Sequence, residues 1–138
     1  MTGGQAAKLR QRYLADAIET AAPAVRLTML YDAMELDLRR ADTAFETGDI
    51  KGINDNLVHA QAILLTLRDT MKPELWDGAP RVIALYDFFL GELLGANLTK
   101  DRQRAASAAE LIGRVGDAWR KAAVDAVVER EERVGGLA

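Results

Sequence analysis

Cysteine is absent from this 138-residue chain. Disulfide staples, thiolate metal sites and thiol catalysis are therefore excluded together, and the composition is compatible with a reducing compartment. Histidine occurs once, as His59, and proline three times, at Pro23, Pro73 and Pro80. Glycine-rich phosphate loops are missing too: Gly3-Gly4 and Gly135-Gly136 sit near the ends with no strand-like run before them. Neither charge sign dominates, since 18 lysines and arginines face 21 aspartates and glutamates for a net charge of −3. That balance gives no support to a nucleic-acid-binding surface. No apolar run approaches the roughly 18 residues of a membrane span, and the N-terminus lacks the apolar stretch of a secretory leader. Membrane insertion is not expected. What is present is the balance of a globular protein, 49% hydrophobic and 28% charged, at the length of a single domain spanning 1–138.

Between the few breakers the apolar spacing is helical throughout. It predicts a short helix over 5–19 and long helices over 23–46, 50–71, 80–98 and 102–131. Gly48 and Asp49 supply a left-handed stop and a new N-cap, and Asp101 can cap the last helix. Connections this short make successive helices antiparallel neighbours. The expected fold is all-α, an antiparallel up-and-down four-helix bundle with an additional short N-terminal helix. Ile50, Ile53, Leu57, Ala60, Leu64, Leu67 and Met71 step by three and four residues, the seam of a left-handed bundle. Ala105, Ala108, Ile112, Val115, Trp119, Ala122 and Ala126 repeat it in the last helix. Residues 134–138 are expected to fray.

Chemistry-bearing clusters are scarce. His59 lies between Val58 and Ala60, with Asn56 and Asp55 three and four residues earlier, so the Glu-x-x-His pattern of di-iron bundles is absent. A structural or solvated histidine is the expectation. Asp32, Asp37 and Asp42 spread around their helix at about 100° per residue, which predicts solvated charge and local salt bridges. No catalytic residue, metal site or cofactor is expected.

Apolar residues, by contrast, exceed what one bundle needs. Val25, Met29 and Leu36 lie off the main stripe of the second helix, and Leu85 and Phe88 lie off that of the fourth. Val58 and Leu65 are turned about 80–100° from Leu57 on the third. Ala84, Gly91 and Gly95 make a small-residue strip beside Phe88. Either a partner helix or the N-terminal helix, through Leu9, Tyr13, Ala17 and Ile18, could cover that strip. The candidate partner-binding residues are therefore Tyr13, Ile18, Val25, Met29, Leu36, Val58, Leu65, Leu85 and Phe88. Tyr31 and Tyr86 are expected to support the fold, with Asp32 and Asp87 free to reach neighbouring helices.

Tyr13, IETAAP at 18–23, Leu27 and MLYDA at 29–33 resemble the signature of the flagellin export chaperone family, FliS. The likeness continues through GDIKGINDNLVHAQAIL at 48–64, ALYDFF at 84–89, ANLTKD at 96–101 and DAW at 117–119, covering about 13–122. Departures include Ala22 for the usual serine before the proline, Ala33 for a glycine, and KPELWDGAP in the loop before the fourth helix. The resemblance implies a cytoplasmic, non-enzymatic chaperone. Such a protein binds the C-terminal segment of flagellin, prevents its premature polymerisation and helps deliver it to the flagellar type III export machinery, with export-gate components as further partners. A generic helical-bundle adaptor binding another amphipathic helix is the alternative.

Overall fold

The computed structural model describes residues 4–10, 12, 23–71, 74 and 77–136. Residues 4–10, together with Arg12, are helical and form α1. Four long helices follow: α2 (Pro23–Thr47), α3 (Ile50–Thr70), α4 (Ala79–Thr99) and α5 (Arg102–Gly136). No strand occurs among the described residues. The remainder of the helix expected over 5–19 lies outside them.

Local chemistry accounts for the helix ends. Gly48 adopts the left-handed conformation, φ +70°, and Asp49 caps α3 by accepting the Gly52 N–H at 2.9 Å. At the other tight turn the left-handed position falls to Lys100, φ 52°, and Asp101 caps α5 by accepting the Arg104 N–H at 3.1 Å. Gly78 precedes α4 without a side-chain cap, and Pro80 stands in its first turn, where a missing N–H costs nothing.

The helices form a ring. α2 packs against α3 and α5, and α4 packs against the same two, so α2 and α4 face each other across a diagonal. The core between them holds Met34, Leu38 and Ala41 of α2, Ile53, Leu57, Leu64 and Leu67 of α3, and Phe89 and Leu93 of α4 with Ala108 and Ile112 of α5. Three expectations need correction. Ile50 is 58% exposed, because the buried seam of α3 begins one turn later at Ile53. Ala122 and Ala126 are exposed rather than in the α5 seam. With 35 residues α5 is about 52 Å long and outruns its neighbours, so its last turns have no helix to face. Finally, α4 does have the length and mean hydropathy, 1.3, of a membrane-crossing helix. Its apolarity is used differently, since one face forms the core through Tyr86, Phe89 and Leu93, and its two acids are engaged in cross-helix ion pairs.

Polar groups inside the bundle are few, and apart from Gln61 Nε2, which is buried without a hydrogen-bond partner among the described residues, the principal ones are matched. Tyr31 and Tyr86 are fully buried, and the Tyr31 hydroxyl donates to that of Tyr86 at 3.1 Å across the α2–α4 diagonal. Burial first, then this bond, pushes the Tyr31 phenol well above its ordinary range, and the Trp119 side chain of α5 acts on both hydroxyls. Asp37 is buried as well, contrary to the expectation of solvated charge, and bonds His59 Nδ1 of α3 at 2.5 Å. Burial raises its carboxyl, opposed in part by His59 and then by Arg40. Asp32 and Asp42 make cross-helix rather than local bridges. Arg120 reaches Asp32 at 2.6 Å and also Glu35, while Arg102 grips Asp42 with two bonds of 2.9 and 3.1 Å.

Two outcomes follow for stability. Tyr86→Phe leaves the Tyr31 hydroxyl buried without its acceptor and should cost about 1–3 kcal/mol in urea denaturation. The Tyr31→Phe/Tyr86→Phe double variant should cost less than the sum of the singles, and simple additivity would contradict the pairing. Asp37 gives a pH signature. Its folded carboxyl titrates above the unfolded value of 3.8, so the stability held by the protonated form is lost as pH rises from there through the folded pKa. Relative to Asp37→Asn, which has no such titration, the parent should lose ground over that interval and then level off. Melting temperatures measured across acidic to neutral pH check this; a constant difference would refute the raised pKa.

Candidate partner-binding surface

Three of the four helix junctions carry apolar residues on their outer sides. The first lies between α2 and α3. Val25, Met29, Ala33 and Leu36 recur every three or four residues and so share one face of α2. Val25 is 50% exposed and Leu36 38%. Ala33, Leu36, Asp37 and Arg40 border a cavity of about 330 Å³ whose opposite wall is Asp55, Asn56 and His59 of α3. Ala7 and Arg10 of α1 line the same cavity. The described part of α1 therefore sits on the α2–α3 junction and not on the small-residue strip of α4. Leu9 points largely to solvent. Tyr13 and Ile18 lie outside the described residues.

The second strip runs along α3 and α4. These helices are antiparallel, and their level is fixed by Asn97 bonding Asn54 at 2.9 Å and Arg68 bonding Asp87 at 2.6 Å. Between those two clasps Val58 and Leu65 of α3 are half exposed, and on α4 so is Leu94, with Leu98, just past the Asn97 clasp, more open still. The α4 spacing Gly91, Leu94, Leu98 keeps one face, and Gly91 has no described atom within 4 Å of where a Cβ would stand. Lys100 closes one end, its Nζ donating to Asn97 Oδ1.

The third strip joins α4 and α5. Arg81, Leu85 and Phe88 fall at i, i+4 and i+7 on α4, facing Leu111, Val115, Ala118 and Ala122 at the same periodicity on α5. Val115, Ala118, Trp119 and Ala122, with Arg114, border an open cavity of about 380 Å³. Phe88 is half exposed, its ring centroid 6.0 Å from that of the buried Phe89. Gly95 has a different role from the one its position suggested. An added methyl there would overlap the guanidinium of Arg104, which crosses from α5 to bond Glu92 at 2.9 Å. The glycine seats an intramolecular ion pair that stops the strip, so it is not open groove.

The fourth junction, α2–α5, is of another kind. Its cavity of about 500 Å³ is bordered by Glu35, Arg39, Asp42 and Thr43 over a floor of Leu38, Ala105, Ala106 and Ala109. The Arg102 and Arg120 ion pairs bind it at either end.

The seven described residues of the expected set thus fall into three groups: Val25, Met29 and Leu36 on the first strip, Val58 and Leu65 on the second, and Leu85 and Phe88 on the third. The structure adds Leu94, Leu98 and Leu111. Their signal was available, since α4 carries only Arg81, Asp87 and Glu92 as charges, too few for a helix with one solvated face. Among the described residues no group of three or more His, Asp or Glu could hold a metal ion.

The geometry agrees with known proteins. Residues 5–126 match the family described as Flagellar protein FliS. The flagellar secretion chaperone FliS of Bacillus subtilis (strain 168) is 29% identical over 123 residues, covering 89% of this chain and 90% of that one. A bacterial flagellar chaperone of known crystal structure superposes with a TM-score of 0.69 at 18% identity, over 86% of this chain and 97% of the other. Sequence and fold agree, and the chain belongs to the FliS family of flagellar secretion chaperones.

Proposed function

We propose that the chain is a cytoplasmic, non-catalytic export chaperone whose client is the C-terminal segment of flagellin, held until it passes to the flagellar type III export machinery. One observation carries this reading: a bundle whose core is already closed keeps apolar side chains half exposed along three junctions. Contiguous apolar surface of that kind marks interaction sites, and grooves between helices suit amphipathic helical clients. A client disordered in solution can lie in several strips in succession. The ordering entropy it loses keeps the complex releasable, as handover requires.

The strips differ in availability. α1 occupies part of the α2–α3 junction, so a client entering there displaces it, whereas the other two strips need no such step. Leu85, Phe88, Val58 and Leu65 therefore meet the client directly, while Leu36 and Met29 meet it after α1 has moved.

Co-purification with flagellin, lost when the flagellin C-terminus is deleted, is the direct test. Met29→Glu, Leu65→Glu and Phe88→Glu place one carboxylate on each strip. Each should keep a cooperative helical melt and weaken client binding by about tenfold, the effect of losing an interface anchor. Leu64→Glu, at a fully buried position, should instead unfold the bundle, because an unpaired buried carboxylate is costly to desolvate. Three folded variants that bind like the parent would place the client elsewhere. Removal of residues 1–12 should raise affinity by freeing the first strip, and unchanged affinity would separate α1 from client entry.

A further inference from the structure

The charges around the strips differ in whether they already have a partner. Four carboxylates along them are already engaged, Asp37 by His59, Asp55 by Lys51, Asp87 by Arg68 and Glu92 by Arg104, while Asp69, one turn beyond Leu65, makes no ion pair among the described residues. Three cations at their edges make no ion pair, although Arg40 acts on Asp37 through space. Arg40 at the first strip, Lys100 at the end of the second and Arg81 on the third have no carboxylate within 4 Å among the described residues. Arg81 is the most telling. It stands in the first turn of α4, where the helix dipole disfavours a cation, and α4 has no acid in that turn to offset it. Its spacing to Leu85 and Phe88 keeps it on their face. Lys100 holds the left-handed position that ordinarily favours glycine, and its ammonium donates only to the Asn97 side chain.

We propose, resting on the reading of these strips as the client site, that the client helices are acidic along the edges they present. Their carboxylates pair with Arg40, Lys100 and Arg81 as their apolar faces enter the three strips. The overall charge of −3 points the other way, toward a basic partner. Local pairing prevails because solvent-exposed charges beyond about 10 Å are largely screened at about 0.1 M salt. Lys100 also gives the second strip a direction. The negative end of a client helix dipole is favoured beside it, so the client runs parallel to α4 there.

Arg39 supplies an internal control. It adjoins Arg40 in the chain and likewise lacks an ion pair among the described residues, but it borders the α2–α5 cavity instead of an apolar strip. Arg39→Glu and Arg40→Glu change the net charge identically, so any difference between them reads location alone. The probe is a peptide of the flagellin C-terminal segment, titrated against the full chain. Arg40→Glu, Arg81→Glu and Lys100→Glu should each weaken binding about two- to fivefold, the range of exposed ion pairs, and the triple variant by tenfold or more. Arg39→Glu should bind like the parent. The losses should shrink between about 0.1 M and about 1 M salt, where the Debye length falls from about 10 Å to about 3 Å. A peptide with Asp and Glu replaced by Asn and Gln should bind the parent more weakly and be indifferent to the three substitutions. Salt-insensitive binding, or equal effects from Arg39→Glu and Arg40→Glu, would overturn this inference and leave the client reading standing. Failure of the unaltered chain to bind the peptide would overturn both.

Discussion

The hydrogen bond between Tyr31 and Tyr86 joins α2 and α4, one of the two diagonal pairs of helices that do not pack against each other. α2 and α4 face one another across a core that is mostly apolar around these two hydroxyls and the nearby Trp119 side chain. In such a medium an unmatched hydroxyl is costly, so each tyrosine fixes the level of the other along its helix. The Met34 and Leu38 stripe of α2 can then meet Phe89 and Leu93 of α4 in one register only. The strips outside inherit that register, because Leu36 and Phe88 stand next to residues it holds.

The four junctions divide into two types for a physical reason. Between α2 and α5 the rims carry acids that meet Arg102 and Arg120, and Ala105, Ala109, Gly113 and Gly116 allow close approach. That junction is bridged by charge at both ends and its cavity of about 500 Å³ has a charged rim. The α3–α4 junction has its polar bonds at the ends, Arg68–Asp87 and Asn54–Asn97, the α4–α5 junction has Arg104–Glu92, and the α2–α3 junction has Asp37–His59 near its middle, each with aliphatic side chains alongside. Such clasps keep the helices together while leaving those aliphatic stretches open for another helix. A chaperone needs this combination, since its grooves must be apolar enough to hold a client and its own fold must not collapse to fill them.

Much of this was legible in the chain. Helical periodicity, the Gly48–Asp49 and Asp101 signals and the short connections gave the bundle and its ends, because propensity, capping and burial agree there. The surplus apolar residues could also be seen, since Val58, Leu65 and Phe88 depart visibly from their core stripes. Failures came where a neighbour's identity mattered. Ile50, Ala122 and Ala126 fit a seam by spacing but are exposed in the folded bundle. The glycine at position 95 matched a partner groove by composition, yet it serves Arg104.

The sequence by itself determined which residues are apolar, where helices start and stop, and hence that more hydrophobic surface exists than one core consumes. Those properties are local, fixed by periods of three and four residues. Only the tertiary structure decided how that surplus is distributed: three separate strips, one of them shared with α1 and one stopped at one end by an ion pair over a glycine. It also decided that Asp37 is buried against His59 while Asp32 and Asp42 reach α5. Such pairings join residues tens of positions apart, and a single helix carries no information about which neighbour its outer face will meet.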